Sequence, residues 1–145
     1  MPGNARPVSD LMTREVVTID ANESLSLADD IMQLGRIRHM PVVDEDQNLI
    51  GIISQRDLFR GALAAALGFG RHAQDKMLGS LRAKEIMHSE VLTIHPDASI
   101  EEAADIMLTR KVGCLVVTEA QQIVGILTES DFVRLVARNQ ALPSR

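Results

Sequence analysis

Two stretches of this chain, Gly51-Ile52-Ile53-Ser54-Gln55-Arg56-Asp57 and Gly125-Ile126-Leu127-Thr128-Glu129-Ser130-Asp131, match in residue type at every position except Gln/Glu and Arg/Ser. The duplication extends outward from them. Thr18 answers Thr93, Ser24 answers Ser99 and Met32 answers Met107 at one constant offset, while Gly51 and Gly125 stand one residue closer. The second copy has therefore lost one residue from the loop before its glycine. A lone copy of this length buries only about 60% of its surface, so the two copies are expected to pack on each other.

In each copy the glycine and its aliphatic neighbours read as the end of a buried strand, and the hydroxyl residue begins a helix. Ser54 and Thr128 suit the N-cap, and Asp57 and Asp131 stand where a capping box places its acidic side chain. Capping alone explains this pattern. A helix N-terminus also presents unpaired N–H groups and a positive dipole end to a phosphate, and a nearby Asp can accept hydrogen bonds from sugar hydroxyls. Both readings stand at this point.

Val16-Val17-Thr18-Ile19 predicts a short strand, and Ser24 caps a helix with apolar positions Leu25, Ala28, Ile31, Met32 and Leu34, stopped by Gly35. Met40 to Val43 and Leu49 to Ser54 predict antiparallel strands around an Asp44–Asn48 loop. Each unit reads β-α-β-β-α. The matched spacing of Leu25, Ala28 and Met32 with Ile100, Ala103 and Met107 predicts equivalent buried helix faces. Residues 1–7 and 140–145 are expected to be flexible tails. Between the copies, residues 67–80 read as a linker carrying Arg71, His72, Asp75 and Lys76.

Aromatic residues make up 2% of the chain, so its core must be aliphatic with Met as filler. A net charge of -5 without a basic stripe excludes a general nucleic-acid binder. No apolar run is long enough to span a membrane. The single cysteine, Cys114, cannot form an intramolecular disulfide and fits a reducing compartment, so a cytoplasmic location is expected. A buried, inert thiol is its expected state. His39, His72, His88 and His95 lack paired metal-ligand spacing, so no metal site is expected, and no nucleophile constellation points to an enzyme.

With the doubled unit and the doubled hydroxyl-x-x-Asp in place, the chain resembles a stand-alone tandem pair of CBS domains, or Bateman module, from Val8 to Asn139. Its landmarks are Leu11-Met12-Thr13, Val17-Thr18-Ile19, His39-Met40-Pro41-Val42-Val43-Asp44 and Gly51 to Asp57. Their partners are Ile86-Met87, Leu92-Thr93-Ile94, Cys114 to Glu119 and Gly125 to Asp131. The resemblance implies a mixed α+β fold with repeats at 8–66 and 81–139, packed sheet to sheet about a pseudo-twofold axis. It also implies two clefts that bind adenine nucleotides, and homodimerisation. The small apolar residues of the run Ala62 to Leu67 would be costly to leave in water and are candidates for meeting a symmetry mate.

On this resemblance Ser54 and Asp57, and likewise Thr128 and Asp131, contact phosphate and ribose. The first strand of the opposite repeat lines each base pocket, which brings in Thr18 and Thr93. Arg38 and His39 are the expected phosphate donors of the first cleft, with Met40, Pro41 and Arg56 as further ligand-binding candidates. The second copy has Gly113 and Cys114 in place of Arg38 and His39, and Val116 in place of Pro41, so the first cleft is the stronger phosphate site. The implied function is a sensor of AMP, ADP, ATP or S-adenosylmethionine that acts on an unidentified regulated protein. The alternative is a dimerisation scaffold with degenerate, empty clefts.

Overall fold

The computed structural model describes residues 6–69 and 81–141. Arg71, His72, Asp75, Lys76 and Met77 lie outside the described residues. A 3-10 turn at Val8–Asp10 precedes β1 (Ile19–Asp20), α1 (Leu25–Gly35), β2 (His39–Val43), β3 (Leu49–Ser54) and α2 (Gln55–Phe69). The chain continues through α3 (Ala83–Ile86), β4 (Thr93–Ile94), α4 (Ile100–Arg110), β5 (Cys114–Glu119), β6 (Gln122–Thr128) and α5 (Glu129–Ala141). This is the expected mixed α+β class with one β-α-β-β-α pattern written twice.

Each copy forms a three-stranded sheet, ordered β1-β2-β3 in one and β4-β5-β6 in the other. The outer first strand pairs parallel to the central strand, and the third pairs antiparallel to it. β1 and β4 are both two residues long, shorter than the sequence predicts, but β1 begins one residue later than β4, and Pro41 supplies the reason for that shift. In the second copy the Val116 N–H donates to the Leu92 carbonyl at 3.1 Å and Thr93 enters the ladder. Pro41, at the equivalent place, has no N–H, so pairing begins only at Ile19 and Thr18 is left outside the strand. The hairpins also differ. β5 and β6 are joined by Ala120 and Gln121, at φ 52° and 65°, a two-residue turn with both residues left-handed.

Helices α1 and α4 begin alike. Ser24 Oγ accepts from Leu27 N at 3.3 Å, and Ser99 Oγ from Glu102 N at 3.0 Å. Both bury the predicted face, with Leu25, Ala28 and Met32 answered by Ile100, Ala103 and Met107. Leu34 departs from that expectation, since it projects into solvent at 88% exposure. Gly35 is the last helical residue rather than the stop signal. The left-handed closing position is Arg36 (φ 54°), matched by Lys111 (φ 56°).

The two compact units do not coincide with the two copies in sequence. One comprises Val17–Val91, and the other joins the first sixteen residues to those from Leu92 onward. Leu11-Met12 heads the first copy in sequence but packs with Ile94, Ala103, Leu115 and Leu127 of the second. Reciprocally, Leu81, Ala83, Ile86 and Met87 pack with Leu25, Met32, Met40 and Ile53 of the first. Backbone pairing fixes both exchanges. Thr13 and Ile126 exchange N–H···O bonds of 2.8 and 2.9 Å, and His88 and Ile52 exchange two of 2.9 Å.

Each lead-in segment lies so close to the sheet that a Cβ beneath it would force its methionine side chain and a carbonyl to shift. A Cβ on Gly51 would overlap Met87 Sδ and sit 2.8 Å from its Cγ and 3.1 Å from the His88 carbonyl oxygen. Gly125 meets Met12 and the Thr13 carbonyl in the same way. Gly51→Val is therefore expected to cost about 2 kcal/mol by overpacking, measured by urea unfolding. Part of that loss should return when Met87→Ala is added, whereas an unchanged midpoint for Gly51→Val would contradict this contact.

Candidate functional site

In the unit Val17–Val91, β2 begins where β3 ends, because His39 stands opposite Ser54 in the antiparallel register. The loop before β2 is tied to the start of α2 by a 2.8 Å bond from Gln55 N to the Arg38 carbonyl. Arg38, His39, Ser54, Arg56 and Asp57 are thereby gathered at one end of the sheet. Thr18, one residue before β1, is level with Pro41 and near the same end. Met40 and Pro41 are fully buried, and Met40 belongs to the aliphatic core. Arg38 and Arg56 are exposed, while His39, Ser54 and Asp57 are half-buried.

Ser54 and Asp57 form a reciprocal box. Asp57 N donates to Ser54 Oγ at 3.1 Å, and Ser54 N and Oγ donate to Asp57 Oδ2 at 2.9 and 2.8 Å. Asp57 Oδ1 faces His88 Nε2 at 3.0 Å. Since an ionised carboxylate only accepts, His88 carries its proton on Nε2 in this contact. Burial pushes the Asp57 carboxyl up, but hydrogen bonds from the Ser54 backbone, His88 and the Ser54 hydroxyl outweigh it and hold the group below its ordinary value.

Beside this cap lies an open depression of about 360 Å³ lined by Met32, Gln33, Arg36, Ile37, Arg38 and Gln55. Two arginines on its lining and the first residue of α2 make it suited to an anion. It does not include Asp57, so the cation-bearing hollow and the carboxylate cap are neighbours rather than one cavity.

The equivalent place in the other unit differs. Cys114 stands opposite Thr128, and Glu129 N reaches the Gly113 carbonyl at 3.3 Å, so the backbone frame is kept without the two basic side chains. Thr93 is exposed in β4. Asp131 accepts from Thr128 N at 2.8 Å and Thr128 Oγ1 at 3.4 Å, from Thr13 Oγ1 at 3.1 Å and from Arg134 Nη2. Its side chain is 3% exposed, against 12% for Asp57. Cys114 is buried, and burial pushes its thiol up to about 12, which keeps it protonated and unreactive.

His88 and Thr13 were not picked out as site residues by sequence reasoning. They occupy equivalent positions in the two copies, and the signal that marks them is this equivalence combined with the exchange of lead-in segments. Among the described residues no group of three or more His, Cys, Asp or Glu is arranged to hold a metal ion. None of their helices is long and apolar enough to cross a membrane.

The sequence profile of the CBS domain matches residues 8–63 and 83–138. A homoserine O-acetyltransferase of Methanohalobium evestigatum is 29% identical over 130 residues, covering 89% of this chain and 24% of that protein. The chain thus spans about a quarter of the length of that relative. An acetoin utilization protein (AcuB) from Vibrio cholerae, so described with reservation, has a crystal structure with TM-score 0.77 and 33% identity, covering 96% of this chain and 99% of that one. The CBS domain pair of protein MJ0100, solved with 5'-methylthioadenosine and S-adenosyl-L-methionine, has TM-score 0.75 and 28% identity, covering 93% and 98%.

Asp57 has a lower carboxyl pKa folded than unfolded, so its stabilisation is complete above the ordinary aspartate range and is lost as pH falls through the folded value. Asp57→Asn is expected to cost about 1–2 kcal/mol at neutral pH, read as a lower Tm. The difference from the parent should shrink as pH is lowered from about 5 toward 1. A pH-independent difference would show that the carboxylate charge plays no part.

Proposed function

Because this chain belongs to the CBS domain family and carries two such domains in tandem, we propose that it is a cytoplasmic regulatory module that binds an adenine nucleotide or related adenosyl ligand. It has no catalytic activity of its own in this reading. The observation that carries the proposal is the convergence of Arg38, the N-terminus of α2 and the half-buried Asp57 at one end of the first sheet. Asp57 accepts from ribose hydroxyls, and Arg38, with His39 and Arg56 near it, faces phosphate. The adenosyl ligands bound by the MJ0100 pair support this ligand class.

Its output is exerted on a regulated partner or through its own dimer. Support for self-association comes from apolar residues on α2, with Phe59, Leu63 and Leu67 at 65%, 48% and 81% exposure. Light scattering at micromolar concentration should give at least twice the chain mass, and a monomer would remove the dimer from this reading.

Thermal shift with AMP, ADP, ATP, S-adenosylmethionine and adenosine tests ligand binding. At about 100 times Kd one occupied site adds roughly 2.7 kcal/mol, a Tm rise of roughly 5–11 °C for a domain of this size. Arg38→Ala should weaken AMP and ATP about tenfold or more while leaving adenosine nearly unchanged. No shift with any of these compounds would favour the scaffold with empty clefts, and an equal loss for AMP and adenosine would deny Arg38 its phosphate role.

A further inference from the structure

The two cap aspartates look interchangeable in sequence, yet they differ in how much acceptor capacity remains. A carboxylate offers about four acceptor positions. At Asp57 three are taken, by Ser54 N, Ser54 Oγ and His88 Nε2. One is left, and the group that covers Oδ1 is an imidazole whose side chain is 65% exposed. At Asp131 all four are taken, by Thr128 N, Thr128 Oγ1, Thr13 Oγ1 and Arg134 Nη2. Its side chain is almost completely buried and its charge is matched by Arg134. Admitting a ribose hydroxyl in place of the guanidinium would separate a buried carboxylate from its counter-charge for a neutral donor, which is an unfavourable exchange.

We infer that the two caps have divergent roles, with ligand recognition confined to Asp57 and with Asp131 acting as a structural strut between the Thr13 lead-in and α5. Thr13 and Arg134 are the residues that close the second cap, and each chain holds one adenosyl ligand by a cap carboxylate. The contrast is specific to this chain's side chains. His88 stands where Thr13 stands in the other copy, and Arg60, the residue of α2 that answers Arg134 in α5, is exposed and is not among the donors to Asp57. This inference rests on the adenosyl reading above for its ligand but not for the strut itself.

Calorimetric titration with AMP, with S-adenosylmethionine as a second probe, should give one site per chain. Asp57→Asn should weaken it at least tenfold, and Asp131→Asn should leave affinity within twofold. Two equivalent sites per chain, or equal losses for the two variants, would overturn the assignment. If neither probe binds, the adenosyl reading fails, and the strut is then decided on the protein without ligand. Thr13→Val combined with Arg134→Gln should lower Tm by roughly 2–4 °C in the parent and leave Asp131→Asn unaffected. The same drop in both backgrounds would show that Thr13 and Arg134 do not act through Asp131.

Discussion

The docking of a short lead-in segment onto a glycine of the partner copy's sheet is the contact on which each half of this protein depends. At Gly51 and Gly125 the backbone of the neighbouring segment comes within 3.1 Å of where a Cβ would stand, and a methionine side chain covers the site. This close approach allows His88 and Thr13 to join the sheet by paired main-chain bonds. It also completes the aliphatic cores, which lack Trp and Tyr and rely on Met12, Met32, Met40 and Met107. A flexible thioether suits this place because it fills the irregular space above a bare backbone without demanding one rotamer.

The same docking brings the lead-in side chains to the caps. His88 arrives at Asp57 because its backbone is paired with Ile52, and Thr13 arrives at Asp131 because its backbone is paired with Ile126. The backbone frame is thus held constant while side chains set the chemistry. An imidazole, a half-buried carboxylate and nearby arginines occupy one end, and a hydroxyl with a salt-bridged buried carboxylate occupies the other. A duplicated fold keeps the same backbone contacts in both halves while the side chains around its two caps differ.

Pro41 illustrates how a single residue propagates through this frame. It removes one ladder donor, so β1 starts at Ile19 and Thr18 is left outside the pairing, whereas Thr93 is held in β4 by the bond that Val116 makes. The result is a strand that starts one residue later in the half that also carries Arg38 and His39. Differences that look like scattered substitutions in the sequence fall at one end of one sheet.

The sequence by itself determined the doubling, the order of elements, the buried faces of α1 and α4 and the Ser54–Asp57 cap, because all of these follow from local periodicity and short-range hydrogen bonding. Leu34 and Gly35 escaped it, since the spacing of apolar residues does not say where a stripe ends and a left-handed closing residue need not be glycine. The partner of each lead-in was decided only by tertiary structure. Leu11-Met12 and Ile86-Met87 are chemically alike, and so are Gly51 and Gly125, so nothing local distinguishes docking on the same copy from docking on the other. That choice belongs to long-range packing, and with it came the meeting of His88 with Asp57 and of Thr13 with Asp131.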